Sequence, residues 1–219
     1  MTLKLYYAPG ACSFVPHTLL EAAGAAFEPV WVKLHKKEND APEYRAVNPR
    51  GQVPVLVDGA ETITQILAIV EYLDACFPEA QFLPRETLPR TRVLETLAWM
   101  NNTVHPTFTH VFMPWKFAGT PEGQADVKAF NTQLYRGLLG ELEALAQRAA
   151  DAGRAFLFGG HFGPADAYAL TLLRWGGFAG IDPTAFTGLW AHVQRIAALP
   201  AVARAIERER LQLNLYKAA

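Results

Sequence analysis

Residues 5–24, LYYAPGACSFVPHTLLEAAG, lead from a short apolar and aromatic run through a bend into an amphipathic stretch. The bend is Ala8-Pro9-Gly10-Ala11, two of whose residues are the strongest interruptions of regular structure a chain can carry. Before it, residues 3–7 read as a strand. After it, Leu19, Leu20 and Ala23 share one side of a helix that starts near Phe14 and stops near Gly24. Cys12 and Ser13 therefore sit where a strand has just turned into a helix.

Working outward, residues 27–34 (FEPVWVKL) supply a second strand with β-branched and aromatic residues. A polar stretch over 35–45, partly helical, leads to the turn NPRGQ. Residues 53–57 and 60–64 then flank Asp58-Gly59, a dipeptide suited to a tight hairpin turn. Residues 65–77 read as a helix with Ile66, Ile69, Val70 and Leu73 at helical spacing, ended by Pro78. A βαβ unit requires parallel strands and a right-handed crossover. Adding the hairpin predicts a mixed sheet of about four strands with helices on its faces.

Beyond Pro78 the pattern changes. PEAQFLPRETLP, residues 78–89, has little periodicity and reads as a linker. Everything after it is helical. Residues 90–111 carry Val93, Leu94, Leu97, Met100 and Val104, with Pro106 expected to kink or end that helix. Residues 122–150 place Phe130, Leu134, Leu138, Leu142 and Leu145 along a long helix. FGPADAYALTLLRW opens another after Gly163-Pro164, and 189–199 and 201–211 complete the set. The expected organisation is an α/β domain over 1–78, a linker over 79–89 and an all-α domain over 90–219.

Composition limits the function classes. Hydrophobic residues are 51 % and charged residues 19 % of the 219, enough for a sizeable core. Twenty Lys and Arg oppose 21 Asp and Glu, for a net charge of −1, and the longest basic run is Lys36-Lys37. That balance predicts neither a nucleic-acid footprint nor a membrane-binding patch. No apolar run approaches the ~18 residues of a membrane span, and the N-terminal MTLKLYYAPG is not expected to be a signal peptide. The two cysteines, Cys12 and Cys76, form no C-x-x-C pattern. Neither a disulfide framework nor a metal site is expected, and the default setting is a reducing cytoplasm.

The bend admits two chemical readings. A thiol at a helix N-terminus lies in a field of unpaired N–H groups that can lower its pKa and favour the thiolate. Ser13 can donate to a bound anion, and a tyrosine at the strand end can place a phenol at the same edge. Alternatively Ser13 caps the helix, with Pro16 tolerated in its first turn. Cys12 is then a small buried apolar group. Tyr6 and Tyr7 are adjacent on a strand, so only one can face the open side of the bend. The residues alone leave these readings open.

Four segments carry a resemblance: YYAPGACS at 6–13, NPRGQVPVLVDG at 48–59, ITQILAIVEYL at 63–73 and FGPADAYALTLLRW at 162–175. Their order and spacing resemble the cytosolic glutathione transferase superfamily, most of all its bacterial beta class, over nearly the whole chain. The resemblance implies a thioredoxin-like N-terminal domain joined to an all-α helical domain. It implies conjugation of glutathione, as co-substrate, to a small hydrophobic electrophile, and a homodimer; the alternatives are a glutathione-dependent thiol-disulfide oxidoreductase or peroxidase acting through Cys12, and a non-catalytic binding protein with a weakened glutathione site. Cys12, Ser13 and Tyr7 correspond to residues placed beside the glutathione sulfur in different classes. His105 matches a histidine that reaches the sulfur from the helical domain. Pro54 corresponds to a cis-proline, and Val53 before it would pair with the peptide of glutathione. Gln65 and Ile66 stand where the γ-glutamyl end is held, Ile66 replacing the usual serine or threonine, and Lys37 stands near the glycyl end. Arg174, Trp175, Phe112 and Trp115 are candidates for the electrophile pocket. Gly163 and Asp166 replace a helix-capping box whose hydroxyl residue is missing here.

Overall fold

The structure, a computed structural model, describes residues 3–218. β1 (Leu3–Tyr7) alternates inward Leu3, Leu5 and Tyr7 with Lys4 and Tyr6 on the other face, as a strand with a helix-covered side must. It pairs in parallel with β2 (Phe27–Trp31) and antiparallel with β3 (Val55–Asp58), which turns at Gly59 into β4 (Glu61–Thr64). The order β2-β1-β3-β4 is the mixed four-stranded sheet that the βαβ-plus-hairpin pattern predicts. Two boundaries differ. β2 ends at Trp31 rather than at residue 34, and single 3-10 turns at Leu34–Lys36 and Glu38–Asp40 precede the short helix α2 (Pro42–Val47).

α1 (Phe14–Ala22) is buried along nearly its whole length because it is packed from both sides. It contacts β1 and α3 (Ile66–Cys76) on one side and α7 (Pro164–Trp175) and α9 (Pro200–Glu209) on the other. Arginines 204 and 208 of α9 reach Glu21 at 2.7 and 3.0 Å. Asp74 of α3 is likewise met by Arg85 and Arg90. One continuous apolar core spans the junction between sheet and helices.

The helical half starts earlier than expected, since α4 (Thr87–Trp99) takes in the last residues of the stretch read as a linker. Pro106 does not end the helix. A π-helical turn over Met100–Val104 joins α4 to α5 (His105–Phe112), and its wider winding accommodates the missing N–H of proline. α6 (Pro121–Asp151) is capped by the Thr120 hydroxyl, which accepts from Gly123 N–H at 3.1 Å. Its core face is Tyr135, Leu139, Leu142, Ala146 and Ala149. Phe130 and Leu134 are 65 % and 46 % exposed, on a different face from buried Tyr135, which adjoins Leu134 on the same turn.

α7 begins at Gly163, which has no side chain to cap with. The Asp166 carboxylate performs half of a capping box by accepting from Gly163 N–H at 2.9 Å. Its other oxygen accepts from Leu157 N–H and from His192 Nε2, both at 2.9 Å, tying α8 (Thr187–Ala197) to the helix start. Arg195 donates to His192 Nδ1, so the imidazole proton is on Nε2. Gly163 and Asp166 are thus architectural. Asp166→Ala is expected to lower unfolding stability by about 3–5 kcal/mol, because three donors lose a buried charged partner. Urea unfolding with an unchanged slope and a lower midpoint would show it; a loss below ~1 kcal/mol would contradict this role.

Candidate active site

The bend after β1 is gripped by the helical half. Gly10 has φ +69°, the left-handed region that glycine occupies without a Cβ penalty. Its N–H donates to Glu209 of α9 at 2.7 Å, and its carbonyl accepts from the Trp175 indole N–H of α7 at 2.8 Å. Glu209 in turn binds His17 Nδ1 at 2.6 Å in a wholly buried pair. Arg174 donates to the Gln212 carbonyl at 2.7 Å and leans on the Gly10 carbonyl. Burial lowers its pKa, an effect partly offset by Glu209. Arg174 and Trp175 therefore hold the bend. Trp175 is 5 % exposed with its N–H committed, so it backs the site instead of forming an open pocket wall.

This grip sets the environment of the cysteine. Cys12 is buried and its Sγ donates to the Val53 carbonyl at 3.5 Å. Burial pushes the thiol up to about 12, outweighing the backbone N–H groups of Cys12 and Ser13 that act to lower it. The lowered pKa expected from a helix N-terminus is therefore corrected: removal from water dominates, and the group is a neutral thiol. Ser13 is corrected as well. Its buried hydroxyl donates to the Ala8 carbonyl at 3.2 Å and accepts from the Ala8 N–H at 3.1 Å, leaving no proton for a bound anion. Nor does its side chain cap α1. It braces the bend.

Tyr7 points to the helix-covered face of the sheet, with its ring 5.2 Å from that of His17. Burial first and Glu209 second raise its pKa. Tyr6 takes the opposite face, against Tyr44. Among the described residues no hydrogen bond joins Tyr7 to Cys12.

Val53 is half-buried and precedes a cis peptide bond to Pro54, as expected. Gln65, the residue before α3, has φ +73° and ψ +130°, a conformation costing a non-glycine residue on the order of 1–3 kcal/mol. Its side chain is exposed. Ile66 begins the helix with its side chain 3 % exposed in the core, so the position of the missing hydroxyl is filled by packing. Helix geometry still leaves the first-turn N–H groups without an intrahelical acceptor. Lys37 lies exposed on the 3-10 turns, with φ +56°.

From the helical half, His105 opens α5 immediately after the π turn. Its Nδ1 is 2.8 Å from the hydroxyl of Tyr168, whose second neighbour is Asn101 Oδ1 at 3.4 Å. Burial pushes the imidazole pKa down to about 4. Burial also raises Tyr168, with Cys12 contributing, so phenol and thiol share one neighbourhood. Beyond His105 the aromatic rings continue outward: Trp175 stacks on Phe108 at 4.7 Å, and Phe108 on Phe112 at 5.5 Å. Phe178 lies tilted at 51° to Phe112, with centroids 5.4 Å apart. Phe112 is 44 % exposed at the open end of this ladder, whereas Trp115 is 60 % exposed on the turn beyond α5 and takes no part in the stacking.

The structure joins Cys12 to Val53 ahead of cis-Pro54, and seats His105 on Tyr168 and Trp175 at the inner end of a ring ladder that runs through Phe108 to Phe112; Tyr168, Phe108 and Phe178 are residues that sequence reasoning missed. Phe108 had a signal, since 105, 108 and 112 fall on one helical face. Tyr168 had none, being one aromatic residue in an apolar helix.

A four-stranded mixed sheet with a cis-proline beside a thiol-bearing bend, packed on a helical half, defines a thioredoxin-like domain joined to an all-α one. Comparison with known proteins gives the particular family. The model of the glutathione S-transferase N-terminal domain matches residues 1–75. Glutathione S-transferase GstA of Escherichia coli is 35 % identical over 214 residues, covering 96 % of this chain and 100 % of that one. A sphingomonad glutathione S-transferase complexed with glutathione superposes with TM-score 0.81 at 33 % identity, covering 95 % and 100 % of the two chains. The bacterial beta class enzyme of Sphingomonas chungbukensis does so with TM-score 0.81 at 34 % identity over the same shares. The chain belongs to the glutathione S-transferase family, with its similarity on the beta-class side.

The buried thiol has a direct consequence. With a pKa near 12, about one Cys12 in ten thousand is thiolate near pH 8, four pH units below. Iodoacetamide at that pH should alkylate the partly exposed Cys76 first and Cys12 only slowly, with Cys12 catching up on unfolding in urea. Mass spectrometry of the labelled peptides would show the order. Equal native-state rates would contradict the burial argument.

Proposed function

We propose that the protein is a glutathione transferase that joins the sulfur of glutathione to an electrophilic carbon of small hydrophobic compounds. The observation that carries this reading is the contact of Cys12 Sγ with the Val53 carbonyl at 3.5 Å. It supports a cysteine standing beside the backbone of Val53, which in this reading pairs with an extended peptide.

In this reading residues 1–78 bind glutathione, 79–89 connect, and 90–219 supply the electrophile wall. The cysteinyl peptide pairs with Val53 ahead of Pro54. The γ-glutamyl carboxylate meets Gln65 and the backbone N–H of Ile66 at the start of α3, where unpaired N–H groups favour an anion. Lys37 faces the glycyl carboxylate. The sulfur then lies between Cys12 and His105, with Ser13 bracing the bend and Tyr7 remaining behind it. Phe112 and Trp115, joined by Phe108 and Phe178, offer apolar surface to the electrophile, while Arg174 and Trp175 hold the bend in place.

In the chemical step the glutathione thiol ionises, its thiolate attacks carbon, and the leaving group departs with the bonding pair. Stabilising the thiolate raises the reactive fraction, and holding both reactants supplies the rest. A thiol-disulfide exchange role for Cys12 is disfavoured because such a nucleophile must be thiolate.

The proposal extends to a homodimer, which would cover exposed Phe130 and Leu134 on α6. Light scattering should give about twice the 24.1 kDa chain mass. It also extends to a reducing cytoplasm, supported by the two free cysteines.

Calorimetry of the reduced protein should show saturable binding of both glutathione and S-methylglutathione at about 1 mM or tighter. Cys12→Ala should lower conjugation less than about tenfold, since a neutral thiol contributes one hydrogen bond. Binding of neither ligand would overturn the proposal, and complete loss of turnover in Cys12→Ala with binding intact would favour the exchange reaction instead.

A further inference from the structure

α9 ends in a turn that a glycine would make more easily. Arg210 takes φ +54°, a left-handed conformation that costs any residue with a Cβ, and Leu211 N–H closes the helix end on the Ile206 carbonyl at 3.0 Å. The turn sends residues 211–216 back across the end of α7. Leu211, Leu213 and Leu215 are half-buried and alternate with exposed Gln212 and Asn214, as in an extended segment with one face on the protein. Leu211 and Leu213 pack against the core.

Two contacts seat this segment on α7. The Gln212 carbonyl accepts from Arg174 Nε at 2.7 Å. Three residues further along both segments, Leu215 lies directly over Gly177. A Cβ on Gly177 would stand 2.7 Å from the Leu215 Cβ and carbonyl carbon and from the Tyr216 nitrogen. Gly177 belongs to the 3-10 turn Gly176–Ala179 that continues α7, and its φ is not left-handed. Close approach of the segment, and not backbone conformation, selects glycine there.

Arg174 is the link from this segment to the site. Its guanidinium lies against the bend: a Cβ on Gly10 would approach Nη1 to 2.5 Å, and Nη1 leans on the Gly10 carbonyl at 3.5 Å. Arginine is always charged, and a charge drawn out of water needs hydrogen-bond acceptors. Among the described residues Arg174 forms no salt bridge, and its acceptors are two backbone carbonyls. The shorter bond is the one to Gln212. That carbonyl is what favours a guanidinium lodged at the bend over one turned out to solvent.

We propose that residues 211–216 are a positioning strap for the thiol-bearing bend: seated on Gly177, they offer the Gln212 carbonyl to Arg174 and so hold its guanidinium against Gly10. This inference rests on the transferase reading for its consequence in catalysis, the placing of the bend beside the glutathione sulfur. The strap itself is tested without glutathione.

Gly177→Ala forces a Cβ against the strap, and Leu213→Ser removes its apolar anchor. Hydrogen exchange followed by mass spectrometry should show the Tyr216 amide and the Gly10 and Ala11 amides exchanging about tenfold faster in each variant, since a hydrogen bond to a charged group is lost. Peptides covering the buried face of α6 should not change, which a general loss of stability would not allow. Arg174→Met keeps the side-chain length but needs no carbonyl. On that background Gly177→Ala should alter exchange at the bend less than about twofold. Faster exchange in the strap over a bend that stays protected would overturn the proposal, as would the full effect of Gly177→Ala on Arg174→Met. Unchanged protection of the strap in both variants would overturn it too, because Gly177 and Leu213 would then not be what seats it. With a dinitro-activated aryl chloride, Gly177→Ala should raise the glutathione KM at least about threefold and change kcat less than about twofold. An unchanged KM would overturn the strap's part in the transfer reaction. Failure of the unmodified protein to bind glutathione would remove the transferase reading separately, since exchange at the bend is read without ligand.

Discussion

Everything at the site depends on the two hydrogen bonds that hold the Gly10 backbone. Its N–H is taken by Glu209 and its carbonyl by Trp175, so one residue in the bend is fixed by the last helix and by the seventh. Buried backbone groups must find partners, and these two find them across the junction between the sheet and the helical half. Glu209 extends the connection to His17 of α1, and Arg174 extends it to the C-terminal segment. The bend cannot move without breaking bonds in both halves. A Cβ at Gly10 would also approach the Arg174 guanidinium to 2.5 Å, so space and the left-handed φ both select glycine there.

Such close packing has an electrostatic cost. Shielding Cys12 from water drives its thiol towards the neutral form, and the same shielding drives His105 to the neutral imidazole. A charged thiolate–imidazolium pair would require desolvating two ions at once, a penalty that only excellent geometry offsets. In the proposed reading the glutathione sulfur would instead lie among uncharged hydrogen-bond groups. Ordered donors in a low-dielectric pocket still stabilise an anion, and they need no rearrangement when it forms. Position replaces charge.

The architecture was legible in advance because it follows from short-range patterns. Strand alternation, the Asp58-Gly59 turn and the 3.6-residue repeat of α3 each announce themselves locally. The limits of that reading are equally physical. Pro106 signals an end, but a π turn absorbs it. Phe130, Leu134, Leu138 and Leu142 are spaced by four, and each such step rotates about 40° past a full turn of a 3.6-residue helix, so the repeat leaves the face that Tyr135, Leu139 and Leu142 bury. At the site, Val53, Pro54 and His105 were identified through resemblance, and of their expected features the structure shows the cis peptide bond between Val53 and Pro54. Ser13 and Trp175 were given ligand-facing roles because a hydroxyl and an indole look available in sequence. Their hydrogen-bonding capacity is spent on Ala8 and Gly10.

The sequence by itself determined the strand-bend-helix start, the mixed sheet, the helical remainder and the family. These depend on residues near one another in the chain or on the order of a few motifs. Tertiary structure alone decided that Cys12 is a protonated thiol, that Ser13 braces rather than donates, and that Tyr168 meets His105 from 63 residues away. The reason is that pKa and hydrogen-bond direction are set by what surrounds a group in space. Desolvation and the partner that a polar group meets in space have no signature along the chain.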